Sequence, residues 1–498
     1  MKRKVITTNR LAATFLIFSA LHPGMPITTH ATQFMNDLPY SDITPIIIQT
    51  DLPAEDDGRG GIIVNDLNND GLMDFIVSKP GIVGAYDNSG RKLWICEENI
   101  QLTSKSEDNG LPGWHAPGTQ SGDIDGDGRV EMLFLTTDNR LVVLDGKNGN
   151  PKNIIQPALA PGIEKWEHFV IADFHGAGGK DILLQATNPD GYRMGKYLRA
   201  YAFSDLINSN DPEPLWEKSD YVAAAHNGVR VADMDGDGKD EIQGGVLLDH
   251  KGREKTTVPL KGHIDAHMVA DVLPSVPGLE MVVLEESVID PPPFDGSIRG
   301  FYTLNRLYKK YISKGNRIFL VGTNGLIWKA HHNLSEPQNT AVGDFDPDRP
   351  GLEIWCRSRY DTHQKPFVFD SEGNVITSYA MDDVAPEGWT EKGVEVPTEI
   401  HWTGNHKQFV AGKERHRSGD VAIFDAMTGK FLHRFKENAD RLYVADVYGD
   451  WREEILVMNK NEIHIYKNPD PNLNPDRDSL WIHSHYRRNK MTYNYYSN

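Results

Sequence analysis

Short apolar runs alternate along the chain with polar turns rich in Gly, Asp and Asn, and helical spacing is nearly absent. Runs such as Val130 to Leu135 and Met281 to Leu284 have the length and Val/Ile/Leu content of strands. The one stretch with helical periodicity runs from Leu304 to Ile312. After each run comes a glycine-bearing or polar turn: Tyr86-Asp87-Asn88-Ser89-Gly90, Leu144-Asp145-Gly146, Tyr201-Ala-Phe203-Ser-Asp205, Leu248-Asp249-His-Lys-Gly252, Val321-Gly-Thr-Asn324-Gly325, Phe369-Asp370-Ser-Glu-Gly373, Phe424-Asp425-Ala-Met-Thr-Gly429 and Ile465-Tyr466-Lys-Asn468. Such turns close hairpins, because Gly and Asn accept the positive φ of a tight turn. Eight closers imply units of about 58 residues, longer than the ~40–45 of a minimal blade, so several units carry long loops. Short strands that cannot bury both faces alone stack radially, and the pattern predicts an all-β, eight-bladed β-propeller.

A second phrase recurs just before many of these hairpins. It reads Asp66-Leu-Asn68-Asn-Asp70-Gly71 with Asp74, Asp123-Ile-Asp125-Gly-Asp127-Gly128 with Glu131, and Asp233-Met-Asp235-Gly-Asp237-Gly238 with Glu241. Weaker copies stand at Asp173 with Asp181, Asp271 with Glu280, Asp344-Phe-Asp346-Pro-Asp348 with Glu353, and Asp446 with Asp450 and Glu454. A hard cation such as Ca2+ takes six to eight oxygens at about 2.3–2.6 Å, and alternate carboxylates on a tight loop deliver them. An EF-hand would need flanking helices, whereas these loops run straight into strands. They are read as strand-flanked DxDxDG calcium loops, except at Asp173 and Asp271, where plain acidic turns fit better.

Composition narrows the picture further. A formal charge of -19 excludes a nucleic-acid or anionic-membrane surface, both of which need a basic face. Lys2, Arg3, Lys4 and Arg10 precede an apolar run from Leu11 to Leu21 that ends near Ala31. That is the order of a secretory signal peptide, and a run of about ten residues is too short to span a bilayer. Cleavage near Ala31 is expected, leaving residues 32–498 as one secreted or periplasmic propeller domain, expected to be monomeric. The two cysteines, Cys96 and Cys356, stand in apolar strand contexts and read as small core residues rather than a bridge.

Two stretches carry unusual chemistry. Gly262-His263-Ile264-Asp265-Ala266-His267, if extended, projects His263, Asp265 and His267 from one face, with Glu286 ending the next strand and His226-Asn227 one unit earlier. A mixed imidazole and carboxylate set suits a metal, Ca2+ first, with Mn2+ or Zn2+ compatible. At the C-terminus, His483, His485, Tyr486, Arg487, Arg488, Lys490 and Tyr493 crowd together in an otherwise acidic chain. A phenol among cations is equipped for β-elimination on a polyuronide, where positive charge neutralises the carboxylate while a base removes the weakly acidic C5 proton.

From about Gly60 to Asn494 the chain resembles the catalytic propeller of the family 11 rhamnogalacturonan lyases. The matching segments are His226-Asn227 before Val231-Ala-Asp233-Met-Asp-Gly-Asp-Gly-Lys-Asp240-Glu241, Gly262-His263-Ile-Asp265-Ala-His267, Pro277-Gly278-Leu-Glu280, Pro350-Gly351-Leu-Glu353-Ile-Trp355 and Ala445-Asp446-Val-Tyr-Gly449-Asp450-Trp451-Arg452-Glu453-Glu454, closing with His485-Tyr486-Arg487 and Tyr493-Asn494. The resemblance implies an eight-bladed, calcium-dependent lyase in which His263, Asp265 and Glu286 hold a cleft calcium, with Asn227 or His226 near a further ligand position. It places Tyr486 beside the scissile bond; Arg487 and Arg441 are read beside it as cations that position or neutralise the uronate, and Lys79, Lys436 and His485 as substrate-binding residues. Two segments depart from the family. Ser78-Lys79-Pro80 replaces Lys-Trp-Asp, and Glu437-Asn438-Ala439-Asp440 replaces the Asn-Gly-Thr-Lys that carries a catalytic lysine. The family's small N-terminal β-domain is also expected to be missing. Lys436, Arg441, Lys79 or His115 would then supply the cationic role.

The expected function is therefore a lyase acting on an acidic polysaccharide of the rhamnogalacturonan or ulvan type. Two other classes compete: a non-catalytic calcium-stabilised propeller that binds glycan or protein, and a glycoside hydrolase, which needs paired carboxylates about 5–10 Å apart.

Overall fold

The structure, a computed structural model, describes residues 38–54, 60–102, 119–186, 195–222, 228–286, 315, 317–358, 365–389, 395–414 and 418–492. The segment Leu304 to Ile312 and the candidates His115, His226, Asn227, Tyr493 and Asn494 lie outside them.

Eight four-stranded antiparallel sheets form the blades of a propeller. Their innermost strands are Gly61–Asn65, Thr119–Gly122, Trp166–Ala172, Arg230–Ala232, His263–Ala270, Pro337–Gly343, Glu395–Ile400 and Arg441–Ala445, and blades are numbered 1 to 8 in that order. Seven blades take all four strands from consecutive sequence. The eighth does not, because its outermost strand is Ile46–Gln49, which pairs antiparallel with Glu462–Tyr466. The phrase at Ile465-Tyr466 thus leads to no further strand after it; the start of the chain supplies that strand and closes the ring.

Apolar side chains fill the seams between blades. Seven clusters of buried residues account for the core, each joining neighbouring sheets. Trp166 and Trp355 are fully buried in such seams, and Cys356 is as well, while Cys96 is only half-buried; both thiols are free.

The acidic loops join the first and second strands of their blades, all at one end of the ring, here the loop face. The opposite end, where the inner strands begin, is the cleft face. Asp74, Glu131, Asp181, Glu241, Glu280, Glu353 and Glu454 each open the second strand of a blade and are at most 2% exposed. Each accepts the backbone N–H of the residue after the loop's first acid (Leu67, Ile124, Phe174, Met234, Val272, Phe345 and Val447 respectively) at 2.6–3.1 Å. The first acids act likewise within their own loops: Asp66 takes the N–H of Asp70 and Gly71, and Asp233 that of Gly236 and Gly238. Blade 7 has no acidic loop. Its turn from His401 to Gln408 is seated by side-chain amide bonds from Gln408 to His401 and to the N–H of Asp344.

The C-terminal tail forms a helix, Ser484–Thr492. It closes the central channel at the loop face, packing on the inner strands of blades 1, 2, 4 and 5. Arg488 pairs with Asp240 at 2.8 Å and Lys490 with Glu453 at 2.9 Å, while Gln120 and Tyr443 donate to the carbonyls of Met491 and Lys490. The Tyr486 hydroxyl donates to Glu453 Oε1 at 2.8 Å and accepts the Asp446 N–H at 3.0 Å. Removing that hydroxyl strands the Asp446 N–H, which costs about 1–3 kcal/mol, and leaves Glu453 Oε1 with Lys490 in place of two partners. Tyr486→Phe is therefore expected to melt at lower temperature and at lower denaturant concentration than the parent. An unchanged unfolding curve would show that the hydroxyl does not seat the helix.

Candidate functional site

At the cleft face, the first residue of the inner strand of blade 5 meets the last residue of its neighbour: His263 pairs with Glu286, Nε2 to Oε2, at 2.8 Å. Blade 6 completes the group. Gln338 donates from Nε2 to Glu286 Oε1 at 3.0 Å and to Asp265 Oδ1 at 3.4 Å, and the Asn339 N–H donates to Asp265 Oδ2 at 3.1 Å. Arg357 in turn holds Gln338 through Nη2 and Asn339 through Nε, at 3.0 and 2.9 Å. All of these side chains except His263 are buried, Asp265 fully. The sequence thus brought His263, Asp265 and Glu286 to one place correctly, while Gln338, Asn339 and Arg357 escaped notice because each is ordinary in its own strand.

Backbone irregularity builds this group. The register of blade 5 shifts between Ile264 and Ala266, making Asp265 a bulge residue, and blade 6 shifts equivalently at Asn339. A bulge re-aims the side chains that follow it. His267 consequently leaves the face of its strand that Asp265 occupies: it is 1% exposed and lies beside the Arg230 guanidinium of blade 4, which together with burial holds its imidazole well below the usual range. The strict alternation expected for His263, Asp265 and His267 fails at that one residue.

The cations proposed for the cleft divide into two kinds. Lys79 is 2% exposed and donates to the carbonyls of Pro53 and Lys460, and Arg441 is 1% exposed and donates to those of Gly60 and Asp440. Both hold backbone at the rim. Lys436 is exposed, in the connection that leads into the inner strand of blade 8. Beside it, Glu437 is bound by His464 and Tyr466, so the segment that departs from the family is a folded acidic one.

Tyr486, Arg487 and His485 are not part of this group. Asn489 of the same helix bonds the carbonyl of Val269, six residues along the inner strand from His263. At about 3.3 Å per residue that is roughly 20 Å. Burial and the Glu453 carboxylate raise the Tyr486 phenol well above its ordinary range, the opposite of an activated base. Arg487 donates to the carbonyls of Trp481 and Ile482, and burial pushes His485 down to about 4. The three residues border a separate cavity of about 490 Å³ at the loop face, or anchor the helix beside it.

Among the described residues, groups able to converge on a metal are Asp123, Asp125 and Asp127, and Asp233, Asp235 and Glu241. The chemistry of the loops fits a hard cation. Burial pushes the carboxyls of Asp74, Glu241 and Glu353 up to about 7, and oxygens of Asp123, Glu280, Asp344 and Glu353 are enclosed without a hydrogen-bond partner. At Asp173 the pattern is different, since His175 donates to Asp181 at 3.0 Å in place of a carboxylate ligand.

The sequence matches the family described as rhamnogalacturonan lyase family 11, C-terminal domain, over residues 190–495. It is 24% identical over 434 residues to the rhamnogalacturonan exolyase YesX and 24% identical over 475 residues to the rhamnogalacturonan endolyase YesW, both of Bacillus subtilis. These matches cover 77% and 81% of this chain but 64% and 66% of the relatives, so the chain spans slightly less than two thirds of either. Crystal structures of YesX and of a Bacillus licheniformis rhamnogalacturonan lyase superpose with TM-scores of 0.63 and 0.61 at 19% identity, over 90% and 91% of this chain and 80% and 81% of theirs. With a match over more than half its length, and the same propeller, the chain belongs to rhamnogalacturonan lyase family 11.

Proposed function

We propose that the protein is a secreted polysaccharide lyase that cleaves a uronate-containing polymer, rhamnogalacturonan or another rhamnose-uronate chain such as ulvan, by β-elimination. The observation that carries this reading is the buried His263–Asp265–Glu286 group, retained at the cleft face of a family 11 propeller. His263, Asp265 and Glu286 would hold a calcium ion there, and bound calcium supplies positive charge against the uronate carboxylate. Gln338 and Arg357 fix the orientation of those ligands, as outer partners of a metal site do. Lys436, exposed at the same face, adds cationic charge near the substrate. Proton removal at C5 is assigned to Lys436 or His115. No helix among the described residues is long and apolar enough to cross a membrane.

The acidic segment Glu437 to Asp440, standing where the family carries its lysine, favours a second reading in which the propeller binds an acidic glycan without cutting it. A panel of acidic polysaccharides separates the two: a lyase releases unsaturated uronates, seen by their ultraviolet absorbance, and a binding protein retains the polymer unchanged. Glu286→Gln is expected to abolish that absorbance increase, and Gln338→Leu to slow it about 10–100-fold. Normal turnover by Glu286→Gln would remove the cleft group from the mechanism.

The acidic loops would hold further calcium ions, through Asp66, Asn68, Asp70 and Asp74 in blade 1, Asp123, Asp125, Asp127 and Glu131 in blade 2, Asp233, Asp235, Asp237 and Glu241 in blade 4, Asp344 and Asp346 in blade 6, and Asp446 and Glu454 in blade 8. One site at a free-ion concentration of 100 Kd stabilises the fold by about 2.7 kcal/mol. A chelator should lower the melting temperature by several degrees and added calcium should restore it. A melting curve indifferent to both would end the calcium reading.

A further inference from the structure

In blade 2, the Lys152 ammonium lies among the loop carboxylates, 2.6 Å from Asp125, 3.3 Å from Asp127 and 2.8 Å from Glu131. In blade 4, Lys255 repeats the arrangement, 2.8 Å from Asp235 and 3.4 Å from Glu241. Both lysines occupy the same structural position. In six blades the register between the third and outermost strands slips by one residue, and the residue left in the bulge is Leu93, Lys152, Lys255, Ile327, Ile376 or Leu432. Four of the six are aliphatic. The two lysines stand in the two blades whose loops read Asp-x-Asp-x-Asp-Gly with a glutamate after them; blade 6, with as many acids (Asp344, Asp346, Asp348 and Glu353) but no glycine after the third aspartate, has Ile376. Lysine and the complete Asp-x-Asp-x-Asp-Gly loop therefore go together within the internal repeat, as expected if one answers the other.

We infer that Lys152 and Lys255 are built-in counter-cations of these loops and compete with calcium for them. The inference rests on the calcium reading of the loops. An ammonium satisfies carboxylates by donating N–H bonds, whereas calcium needs the same oxygens at about 2.3–2.6 Å from its own centre, so the two cannot share the position. Calcium enters only as the lysine swings out on its flexible stem. The loops that match the metal pattern best by sequence are thus the ones that keep their shape without a metal and hold calcium least tightly. In blades 5 and 6 the bulge residue is Ile327 or Ile376, and buried oxygens of Glu280, Asp344 and Glu353 lack a hydrogen-bond partner; in blade 2 one oxygen of Asp123, which is not among the carboxylates paired with Lys152, lacks one too.

The test is calorimetric titration of the metal-stripped full chain with calcium alone, comparing the parent with Lys152→Leu and Lys255→Leu, which install the residue found at the bulges of blades 1 and 7. Each variant is expected to tighten one site by at least about tenfold, because a competing, partly buried charge has gone. Each should also melt lower than the parent in chelator and regain that loss in calcium. Lys152→Gln, which keeps a polar side chain, should shift affinity in the same direction and serves if the leucine variant does not fold. Equal calcium affinity in parent and variants overturns the inference and leaves the calcium reading intact. Binding of no calcium by any of them overturns both.

Discussion

In seven of the eight blades one buried carboxylate, bonded to the backbone of the loop before it, is the contact on which the remaining geometry depends. It stands at the junction of the first and second strands, where the chain must reverse direction beside the central channel. By taking the N–H of the residue after the loop's first acid, it fixes the reversal and sets where the second strand begins. Desolvation makes this arrangement unfavourable for an ion on its own, which is why the carboxyls are pushed upward and why a positive partner matters so much there. Seven blades solve the problem with an acid at the second strand. Blade 7 solves it with neutral amide bonds from Gln408, and its turn bears no carboxylate to compensate.

The two faces of the ring consequently have different tasks. The loop face is where charge is gathered, neutralised and sealed, with the C-terminal helix seated on Asp240, Glu453 and Asp446. The cleft face carries the bulged strand starts, where pairing is irregular and side chains are re-aimed toward a neighbouring blade. Irregular backbone at a strand start is what allows Asp265 and Asn339 to face each other across a seam that is otherwise filled by apolar residues.

Much of this was legible in the sequence because it repeats. Eight hairpin closers and a recurring acidic phrase specified the number of blades and the position of their loops, and Glu286 fell where a strand ending beside His263 would leave it. What was not legible is what occurs once. A bulge is a property of pairing, so nothing in Gly262-His263-Ile264-Asp265-Ala266-His267 announces that Asp265 interrupts the alternation. Ile46–Gln49 reads as an ordinary short strand, and only the open edge of blade 8 gives it a partner. The motif at Tyr486 was read as a cleft residue from its chemistry and from the family resemblance, although basic and aromatic residues are equally suited to anchoring a helix on buried acids. Nothing in the sequence sets Lys152 and Lys255 apart from other lysines, and only their common place in the bulge gives them a role.

Closing the ring with its first strand also has a kinetic side. Gln49 and Asn461, which meet across the closure, are 412 residues apart in the chain. At synthesis rates of about 5–20 residues per second, the first strand waits roughly 20–80 s before its partner exists. During that interval it is an unpaired apolar edge with Ile46 and Ile47 exposed even in the finished fold. Such an edge pairs readily with other chains. Blade 8 is therefore the part of this protein most dependent on being kept apart from its neighbours until the last strand arrives, and the ring closes only once Glu462–Tyr466 has been made.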